Sequence, residues 1–587
     1  MEVEDYHTLP WLLARRVRRY PRHTLIERKT SLGAAWHTIS SAAFADHVMQ
    51  VAKGLIAIGV EPGERLGIMA HTSYEWMLLE FASAAVGGVT VPIYETSSGS
   101  QVEWIATDAG ISHVVTENHA MADLVRQAAP NLRTLHALDQ DGISQIIAAG
   151  RDVPESEVEA RSNAVTSDSL MTIIYTSGTT GRPKGVELTH GHFVGLALNG
   201  CAWMPQILLG KDSRVLLFLP LAHVFARLIQ LLPVAAEGVV GHCPDTKNLL
   251  EDLSRFKPSY VLAVPRVFEK IYNAADQKAG SGAKLKLFRW AAKVAIEYSR
   301  ALDTEQGPSA ALKTQQALAG RLVHRKIKDL FAGARYAVSG GGPLGDRLGH
   351  FFRGIGMQIL EGYGLTETTA PLAVNAPALN KIGTVGPPIS GVSVRVDDEG
   401  KLQVKGPWVF RAYHNDPEGT AAAFVDDGWF VTGDVGSIDE DGFVRITGRH
   451  KEIIVTAGGK NVAPTVLEDR LRGHPLVSQV MVVGEARPFI GALVTLDAEM
   501  LPGWLRNHNL PQMEVSQAAR HPEVLAALDR AVERANAAVS RAESIRKIRV
   551  LDTDFTEANG LLTPSLKIKR APIAKAFAED IEAIYAG

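Results

Sequence analysis

The stretch TIIYTSGTTGRPKGVEL, residues 172–188, decides the fold: a β-rich apolar run leads into a polar loop, after which apolar residues return. Glycines let backbone N–H groups approach phosphate oxygens, hydroxyl side chains add donors, and Lys184 adds a compact positive charge. The residue order differs from the GxxxxGK(S/T) loop of P-loop NTPases, so a helix N-terminus is not required. A phosphate-binding loop and a plain connection between strands both remain open. The loop positions concerned are Thr176, Ser177, Gly178, Thr179, Thr180 and Gly181.

Outward from this loop, strand-like apolar runs alternate with helical patterns. RLGIMA at residues 65–70 is followed by a helical pattern at 74–87 and by VTVPIY at 89–94. Strands that alternate with helices favour crossover units and a mostly parallel sheet. The same alternation of strand-like and helical patterns continues over residues 171–371. Within this range, residues 273–330 predict a long helical excursion.

The pattern of predicted strands and helices changes near Gly442. FVRITG at 443–448 and EIIVTAGG at 452–459 precede a helix expected near Pro464, which is typical of a small α+β unit. We therefore expect a boundary near residue 448. The predicted fold class is a large α/β N-terminal domain of stacked sheets and helices, residues 1–448, with a small α+β C-terminal domain, residues 449–587.

Composition limits the classes of protein. The 587 residues are 46% hydrophobic and 21% charged, which is ordinary globular usage. A net charge of -3 lacks the basic excess of nucleic-acid-binding surfaces, so no nucleic-acid partner is expected. Two cysteines, Cys201 and Cys243, are too few for a disulfide framework and favour a reducing, cytoplasmic setting. Oligomeric state is not legible from the sequence.

The N-terminus shows no secretory signal, but it is basic. Apolar residues at 11–13 precede five arginines, which makes peripheral contact with an anionic membrane one expectation. A solvated first helix is the alternative, because charged runs usually face water. The arginines are Arg15, Arg16, Arg18, Arg19 and Arg22.

Residues 175–185 resemble, nearly position for position, the signature of the adenylate-forming superfamily, which contains acyl-CoA synthetases, luciferases and peptide-synthetase adenylation domains. Further segments similar to that superfamily follow in its order and cover nearly the whole chain. They are LPLAHVFAR at 219–227, SGGGPLG at 339–345, EGYGLTETT at 361–369, TGD at 432–434 and GRHKEIIVTAGGKNVAP at 448–464.

The resemblance implies a nucleotide site. Tyr363 would lie beside adenine, Thr366 near the phosphates, and Glu367 together with Thr176 on Mg²⁺. A turn would lie under the base, and the segment that begins at residue 361 would line the nucleotide. These further positions are Gly340, Gly341, Glu361, Gly362, Gly364 and Leu365.

The resemblance also implies the remaining roles. His223 would lie near the acyl pocket, Asp434 and Arg449 at the ribose, and Lys451 at a hinge about which the C-terminal domain rotates. Lys567 would enter the adenylation site, and rotation would bring up a loop that forms the channel for the thiol of coenzyme A. That loop contains Gly458, Gly459 and Lys460.

One position departs from the superfamily pattern. The C-terminal lysine commonly follows a glycine, as in SGK, whereas this chain has SLK, which leaves Lys569 as a rival to Lys567. The string LLTPSLK at 561–567 and PRVFEKIY at 265–272 are nonetheless similar to long-chain fatty acid members.

The implied function is ATP-dependent activation of a fatty acid, with a long chain favoured, to acyl-AMP and then to acyl-CoA. Fatty acid, ATP, Mg²⁺ and coenzyme A are the expected substrates and cofactors. An acyl-AMP ligase that loads a carrier protein and a ligase for medium-chain or aryl acids are the alternatives. A luciferase-like oxidation and a non-catalytic nucleotide-binding module are less favoured, the latter because the residues for catalysis are present.

Overall fold

The computed structural model describes residues 3–29, 36–176, 182–280, 282–563 and 566–586. The strands up to residue 449 are short and mostly buried. They are β1 (Thr24–Lys29), β2 (Trp36–Ser40), β3 (Arg65–Met69), β4 (Val89–Ile93), β5 (Ile111–Thr116), β6 (Thr134–Ala137), β7 (Leu170–Thr176), β8 (Lys184–Thr189), β9 (Arg214–Leu217), β10 (Val239–His242), β11 (Tyr260–Ala263), β12 (Tyr336–Ser339), β13 (Gln358–Leu365), β14 (Ala370–Val374), β15 (Ser393–Val396), β16 (Lys401–Lys405), β17 (Ala412–Tyr413), β18 (Phe424–Val425), β19 (Trp429–Ile438) and β20 (Val444–Arg449).

Helices connect these strands. They are α1 (Leu9–Arg19), α2 (Ser41–Ala57), α3 (Tyr74–Ala85), α4 (Gly99–Ala109), α5 (His119–Ala128), α6 (Gly142–Ala149), α7 (Glu155–Ala164), α8 (His190–Trp203), α9 (Pro205–Leu208), α10 (Val224–Ala235), α11 (Leu249–Phe256), α12 (Pro265–Lys278), α13 (Ala283–Ala301), α14 (Ala310–Ala319), α15 (Arg325–Lys328), α16 (Asp346–Gly354) and α17 (Pro417–Ala422). The predicted helical excursion is confirmed by α12 to α15.

The described strands form stacked sheets. A seven-stranded sheet has the order β17-β8-β7-β4-β3-β5-β6, and its centre is parallel. Two four-stranded sheets, β2-β1-β10-β9 and β11-β12-β13-β14, are parallel apart from one edge strand each. This arrangement confirms the predicted α/β architecture.

An antiparallel sheet of β15, β16, β18, β19 and β20 follows before the expected boundary. Its last strand, β20, pairs with β19 as far as Arg449, so FVRITG belongs by hydrogen bonding to this sheet. The sequence pattern did not predict an antiparallel sheet here, because four of its five strands have six residues or fewer.

The C-terminal region has hydrophobic clusters of its own, formed by residues between 454 and 585. Its strands are β21 (Ile454–Val455), β22 (Asn461–Val462), β23 (Val477–Val483), β24 (Ile490–Leu496) and β25 (Ile545–Leu551); its helices are α18 (Pro464–Arg472), α19 (Leu501–Asn507), α20 (Val515–Ala518), α21 (Pro522–Asn536), α22 (Arg570–Ala576) and α23 (Ala578–Tyr585). A three-stranded sheet with helices agrees with the predicted small α+β unit. The boundary at residue 448 itself stays a prediction.

Helix α10 is anchored at its middle and at its end. Arg227 is fully buried, and its Nε donates to Glu80 Oε1 at 2.8 Å while its Nη1 donates to Thr172 Oγ1 at 2.7 Å. At the C-terminal end, Arg15 donates to Ala235 O and Arg16 donates to Pro233 O. Carbonyls at a helix C-terminus lack intrahelical partners, so these arginines satisfy them.

These contacts change the interpretation of the N-terminal arginines. Leu12 and Leu13 are buried in the core rather than available to a bilayer, and Arg16 is buried as well. Arg18, Arg19 and Arg22 remain exposed. Within the described ranges, no helix combines the length and apolar character needed to cross a bilayer.

Candidate active site

Strand β7, the third strand from one edge of the seven-stranded sheet, ends at Thr176, directly before the predicted phosphate loop. It pairs antiparallel with β8, so that Thr176 lies opposite Lys184. Thr176 is therefore placed where the loop begins. The predicted residues Ser177, Gly178, Thr179, Thr180 and Gly181 lie outside the described residues.

A cavity of about 340 Å³ opens beside this strand end. One wall is apolar and comes mainly from α8 and α10. The other wall is polar and joins the end of β13 to residues beyond β20. The predicted site residues that line it are Thr176, His223, Gly340, Gly341, Gly362, Tyr363, Gly364, Leu365, Thr366, Glu367, Arg449 and Lys567.

The apolar wall uses helical periodicity. Phe225, Leu228, Ile229 and Leu232 recur on one face of α10, and Trp203 adds an aromatic side chain from the end of α8. Apart from Phe225, which lies in LPLAHVFAR, these residues belong to none of the segments that resemble the superfamily. Their spacing of three and four residues after His223 is the signal that could have identified them.

His223 has two structural roles. Its Nδ1 accepts a hydrogen bond from Phe225 N at 3.2 Å, which caps α10, and its ring faces the cavity. Burial, together with the nearby charge of Lys567, lowers the pKa of His223 to about 4. The imidazole is therefore neutral at physiological pH.

Tyr363, Asp434 and Arg449 form a polar cluster at the other end. The Tyr363 hydroxyl donates to Asp434 Oδ2 at 2.6 Å, and Arg449 Nε lies 3.2 Å from Asp434 Oδ1. The β19–β20 register causes the second contact, because Asp434 and Arg449 are paired across the two strands. Burial raises the pKa of Asp434, although the charge of Arg449 opposes this shift.

Glu367 lies in a short 3₁₀ turn, Thr366–Thr368, after β13. Its Oε1 accepts a hydrogen bond from the Tyr413 hydroxyl at 2.9 Å, and burial raises the pKa of its carboxyl group. A buried carboxylate and the Thr176 hydroxyl on one cavity are oxygen donors of the kind that Mg²⁺ prefers. Among the described residues no three His, Cys, Asp or Glu side chains group to hold a metal alone. Mg²⁺ usually takes its remaining ligands from phosphates and water, so the residues fit that ion.

Lys184 does not line the cavity. Its Nζ is 2.7 Å from Asp416 Oδ2 and 4.7 Å from the centre of the Tyr413 ring. Tyr413 also reaches Glu367, so one tyrosine connects the loop lysine with the predicted magnesium ligand. The sequence analysis missed Tyr413 and Asp416, since only β17 and α17 bring them to this edge.

Lys567 enters the cavity from the C-terminal region, and Lys569 does not line it. The Lys567 backbone is held by Thr563, whose N–H donates to Lys567 O at 2.8 Å. The residue is exposed by accessible surface and lines the cavity. The loss of hydration and the charge of Arg449 lower the pKa of the Lys567 ammonium group.

The adjoining Leu566 explains the departure from SGK. Its φ is 61°, in the left-handed region that favours glycine. The backbone turn typical of glycine is therefore present here with a leucine, at a strain of about 1 kcal/mol.

Some predicted residues lie elsewhere. Glu361 points away from the cavity: its buried Oε2 accepts a hydrogen bond from Leu344 N at 3.0 Å and so holds the glycine turn. Lys451 is exposed in the turn His450–Glu452. The loop between β21 and β22 is exposed as well, and its Lys460 pairs with Glu543 at 3.0 Å. Gly458 and Gly459 lie in that same loop, outside the cavity lining.

The chain is similar in sequence to known protein families and to individual relatives. Residues 13–414 match the AMP-binding enzyme family, and residues 451–587 match the AMP-binding enzyme C-terminal domain. "Long-chain-fatty-acid--CoA ligase FadD15" of Mycobacterium tuberculosis is 48% identical over 562 residues, which cover 94% of this chain and 93% of the relative. "Long-chain-fatty-acid--CoA ligase ACSBG1" of Bos taurus is 29% identical over 94% of this chain and 81% of its own length.

Solved structures show the same fold. ATP-bound MatB from Rhodopseudomonas palustris superposes with a TM-score of 0.70 at 25% identity, covering 97% of this chain and 99% of that one. The anthranilate CoA ligase AuaEII, in complex with anthranoyl-AMP, has a TM-score of 0.73 at 19% identity, with 98% of each chain covered. The two-part architecture, the ordered motifs and the match over most of its length show that this chain belongs to the AMP-binding enzyme family of the adenylate-forming superfamily.

Proposed function

We propose that the protein is an ATP-dependent acid:CoA ligase that converts a long-chain fatty acid to acyl-AMP and then to acyl-CoA, releasing pyrophosphate and AMP. The observation that carries the proposal is a single cavity with an apolar wall on α8 and α10 and a polar wall that contains Glu367, Arg449 and Lys567. An acyl chain and a nucleotide need these two surfaces side by side. The FadD15 relative, with a printed name of this activity, supports the same substrate class.

The acyl chain would lie along the apolar wall. Each buried methylene contributes about 0.8 kcal/mol, so the length of apolar wall in contact sets the preferred chain length. Neutral His223 at the start of α10 lines the same cavity as Lys567, so its uncharged imidazole would orient the carboxylate by a hydrogen bond. The carboxylate end would then face Lys567.

In the first step, a carboxylate oxygen attacks the α-phosphorus of ATP and forms a P–O bond to it. The bond between the α-phosphorus and the bridging oxygen breaks, and pyrophosphate leaves with its electron pair. Both reactants are anions, so positive charge is required at the reacting centre. Lys567 supplies it from the C-terminal region, and Lys184 would exchange Asp416 for phosphate oxygens. Mg²⁺, held by Glu367 and Thr176, would neutralise further phosphate charge.

The nucleotide would be oriented by the cluster at β19 and β20. Asp434 would accept hydrogen bonds from the ribose hydroxyls, with Arg449 beside it, and Tyr363 would lie against adenine above Gly340 and Gly341. Because Tyr363 already donates to Asp434, its ring is oriented before nucleotide binds. Preorganisation of this kind reduces the cost of binding.

In the second step, the thiol of coenzyme A loses its proton to solvent and its sulfur attacks the acyl carbonyl; the C–O bond to AMP breaks, and AMP leaves with that electron pair. Lys451, Gly458, Gly459 and Lys460 lie outside the cavity while Lys567 occupies it. A rotation about Lys451 that withdraws Lys567 and presents the exposed loop would supply the thiol channel. Residues 449–587 would move as the small domain.

A measurement of AMP release from ATP tests this function. Saturated acids of rising length are supplied with and without coenzyme A; release that requires both a long-chain acid and coenzyme A supports the proposal. Acid-dependent adenylate that coenzyme A does not discharge would point to a carrier-protein acceptor instead. A preference for medium-chain or aryl acids would contradict the long-chain assignment.

We also propose peripheral membrane contact at a cytoplasmic location, through fewer arginines than the sequence suggested. Only Arg18, Arg19 and Arg22 of the N-terminal arginines are exposed, so the contact would be electrostatic rather than an insertion of apolar side chains. Binding to anionic vesicles that is lost at raised salt would support it.

A further inference from the structure

Helix α12 contacts the C-terminal region at a place separate from the cavity. Arg266 Nη2 lies 3.2 Å from Asp497 Oδ2, and both side chains are largely buried, at 18% and 8% exposed. At the other end of the helix, Gln277 Nε2 donates to Met500 O at 2.8 Å, and Asn507 Nδ2 donates to Gln277 O at 3.2 Å. Helix α12 is described in full and contributes no residue to the cavity lining.

Asp497 uses its two oxygens differently. Oδ1 accepts hydrogen bonds from the backbone N–H groups of Glu499 and Met500, both at 3.1 Å, and so shapes the turn before α19. Oδ2 accepts from Arg266. An asparagine can keep the first function through its carbonyl oxygen, but it has no charge for the second.

Helix α12 also begins close to the glycine turn at the nucleotide end of the site. A Cβ built on Gly342 would lie 4.0 Å from Pro265 Cγ, and one built on Gly341 would lie 3.9 Å from Val264 Cγ1. Pro265 directly precedes Arg266 in the chain. The same short segment therefore lies close to the glycine turn of the cavity and contacts the C-terminal region that carries Lys567.

We propose that the Arg266–Asp497 ion pair is a latch that holds the C-terminal region in the arrangement with Lys567 in the cavity, and so favours the acyl-adenylate step over the thioester step. The expected effect on the two half-reactions rests on the proposed function, whereas the expected effect on the position of the C-terminal region does not. Arg266 and Asp497 are positioning residues, because neither lines the cavity. A partly desolvated charged hydrogen bond is strong enough to shift a two-state equilibrium several-fold.

A second ion pair between the same elements is the matched control. Lys270 Nζ is 3.0 Å from Glu499 Oε2, but these side chains are 50% and 78% exposed. Exposed ion pairs contribute little because water and salt screen them. Glu499→Gln therefore removes an interdomain charge without removing the latch.

The kinetic experiment compares the two half-reactions. We expect Asp497→Asn to lower palmitate-dependent ATP–pyrophosphate exchange about tenfold, equivalent to about 1.4 kcal/mol. Conversion of supplied palmitoyl-AMP and coenzyme A to palmitoyl-CoA should be unchanged or faster, and Glu499→Gln should alter neither rate. Arg266 also donates to Val477 O and pairs with Glu269, so the double variant Arg266→Gln/Asp497→Asn should be no slower in exchange than Arg266→Gln alone. An equal loss in both half-reactions, or additive losses, would overturn the latch.

A distance measurement tests the latch without catalysis. Spin labels on Ser100→Cys and Ala558→Cys lie near the contact between Thr96 and Glu557, where the two regions meet across the cavity mouth. Both native cysteines are buried, which protects them from labelling. In the otherwise unchanged protein the short distance should dominate, and Asp497→Asn should increase the long-distance population.

The two measurements separate the two hypotheses. Absence of palmitate-dependent exchange in the unsubstituted protein would contradict the proposed function and leave the distance test intact. An unchanged distance distribution in Asp497→Asn would overturn the latch, whatever the protein catalyses.

Discussion

Replacement of Glu361 by glutamine should make the stability of the protein less dependent on pH. Glu361 lies on β13 with its side chain buried, and its Oε2 accepts the Leu344 N–H at 3.0 Å. Burial raises the pKa of Glu361 to about 7; the Leu344 hydrogen bond opposes this shift, Asp346 and Asp469 add to it, and Arg445 reduces it. The carboxyl group thus titrates near neutral pH in the fold.

The sign and the size of the change in stability follow from the difference in proton binding between the folded and unfolded states. The folded state holds the Glu361 proton more tightly than the unfolded chain does, so its stabilisation is full below pH 4.5 and is lost as the pH rises to about 7. This difference in pKa corresponds to about 3 kcal/mol. A glutamine keeps an acceptor for Leu344 and does not titrate. Glu361→Gln should therefore match the wild type in acid and be more stable by about 3 kcal/mol above neutral pH.

Thermal unfolding of both proteins from about pH 5 to about pH 8 measures this difference. For a cooperative unit of about 450 residues, it amounts to a rise in Tm of about 3 °C. The contributions of the other titrating groups cancel in the difference between the two proteins, because both proteins contain them. Glu361→Ala is the control: it leaves the buried Leu344 N–H without an acceptor and should lower Tm at every pH. A difference between Glu361→Gln and wild type that does not change with pH would refute the burial argument.

Four further predictions concern the cavity and the C-terminal region. Lys567→Ala should lower acid-dependent pyrophosphate exchange about a hundredfold or more but still convert supplied acyl-adenylate to acyl-CoA, whereas Lys569→Ala should retain exchange, as measured with labelled pyrophosphate. Lys451→Pro should slow the thioester step more than the adenylate step in single-turnover assays, since it restricts the hinge. Gly200→Leu should shift the preferred acid to shorter chains, because a Cβ there would already lie 3.2 Å from a side chain of α10. Leu566→Gly should be more stable than Leu566→Ala by about 1 kcal/mol in denaturant unfolding, since glycine relieves the positive φ.

Each of these has an outcome that contradicts it. Loss of exchange in Lys569→Ala, with Lys567→Ala unaffected, would show that the C-terminal lysine is assigned two residues out of place. Equal loss of both half-reactions in Lys451→Pro would argue against a hinge there. Unchanged chain-length preference in Gly200→Leu would place the acyl chain away from α8, and equal stability of the two Leu566 variants would remove the strain argument.

Periodicity predicted the regular part of the fold well. The alternation of apolar runs and helices from residue 65 corresponds to β3, α3 and β4, because buried parallel strands and the helices covering them have distinct apolar patterns. The antiparallel sheet that ends with β20 was not anticipated. Four of its five strands have six residues or fewer, and the pairing of β16 with β19 joins strands that are not consecutive in the chain.

The motifs predicted the site to a similar extent. Twelve of the predicted residues line one cavity. Glu361 lies within a motif but outside the cavity lining, because its buried carboxyl group accepts the Leu344 N–H, a contact between residues distant in sequence that no local pattern indicates. Tyr413 and Asp416 carry no motif, and their contacts with Glu367 and Lys184 arise from the pairing of β17 with β8.

By itself, the sequence determined the order of the segments that predict the phosphate loop, the nucleotide site, the hinge and the C-terminal lysine, since each is a local string that resembles a superfamily motif. Only the tertiary structure decided that Lys567 rather than Lys569 faces the cavity, that Lys184 pairs with Asp416, and that Arg266 meets Asp497. These contacts join residues separated by more than two hundred positions. They depend on how sheets and domains pack, which no local pattern encodes.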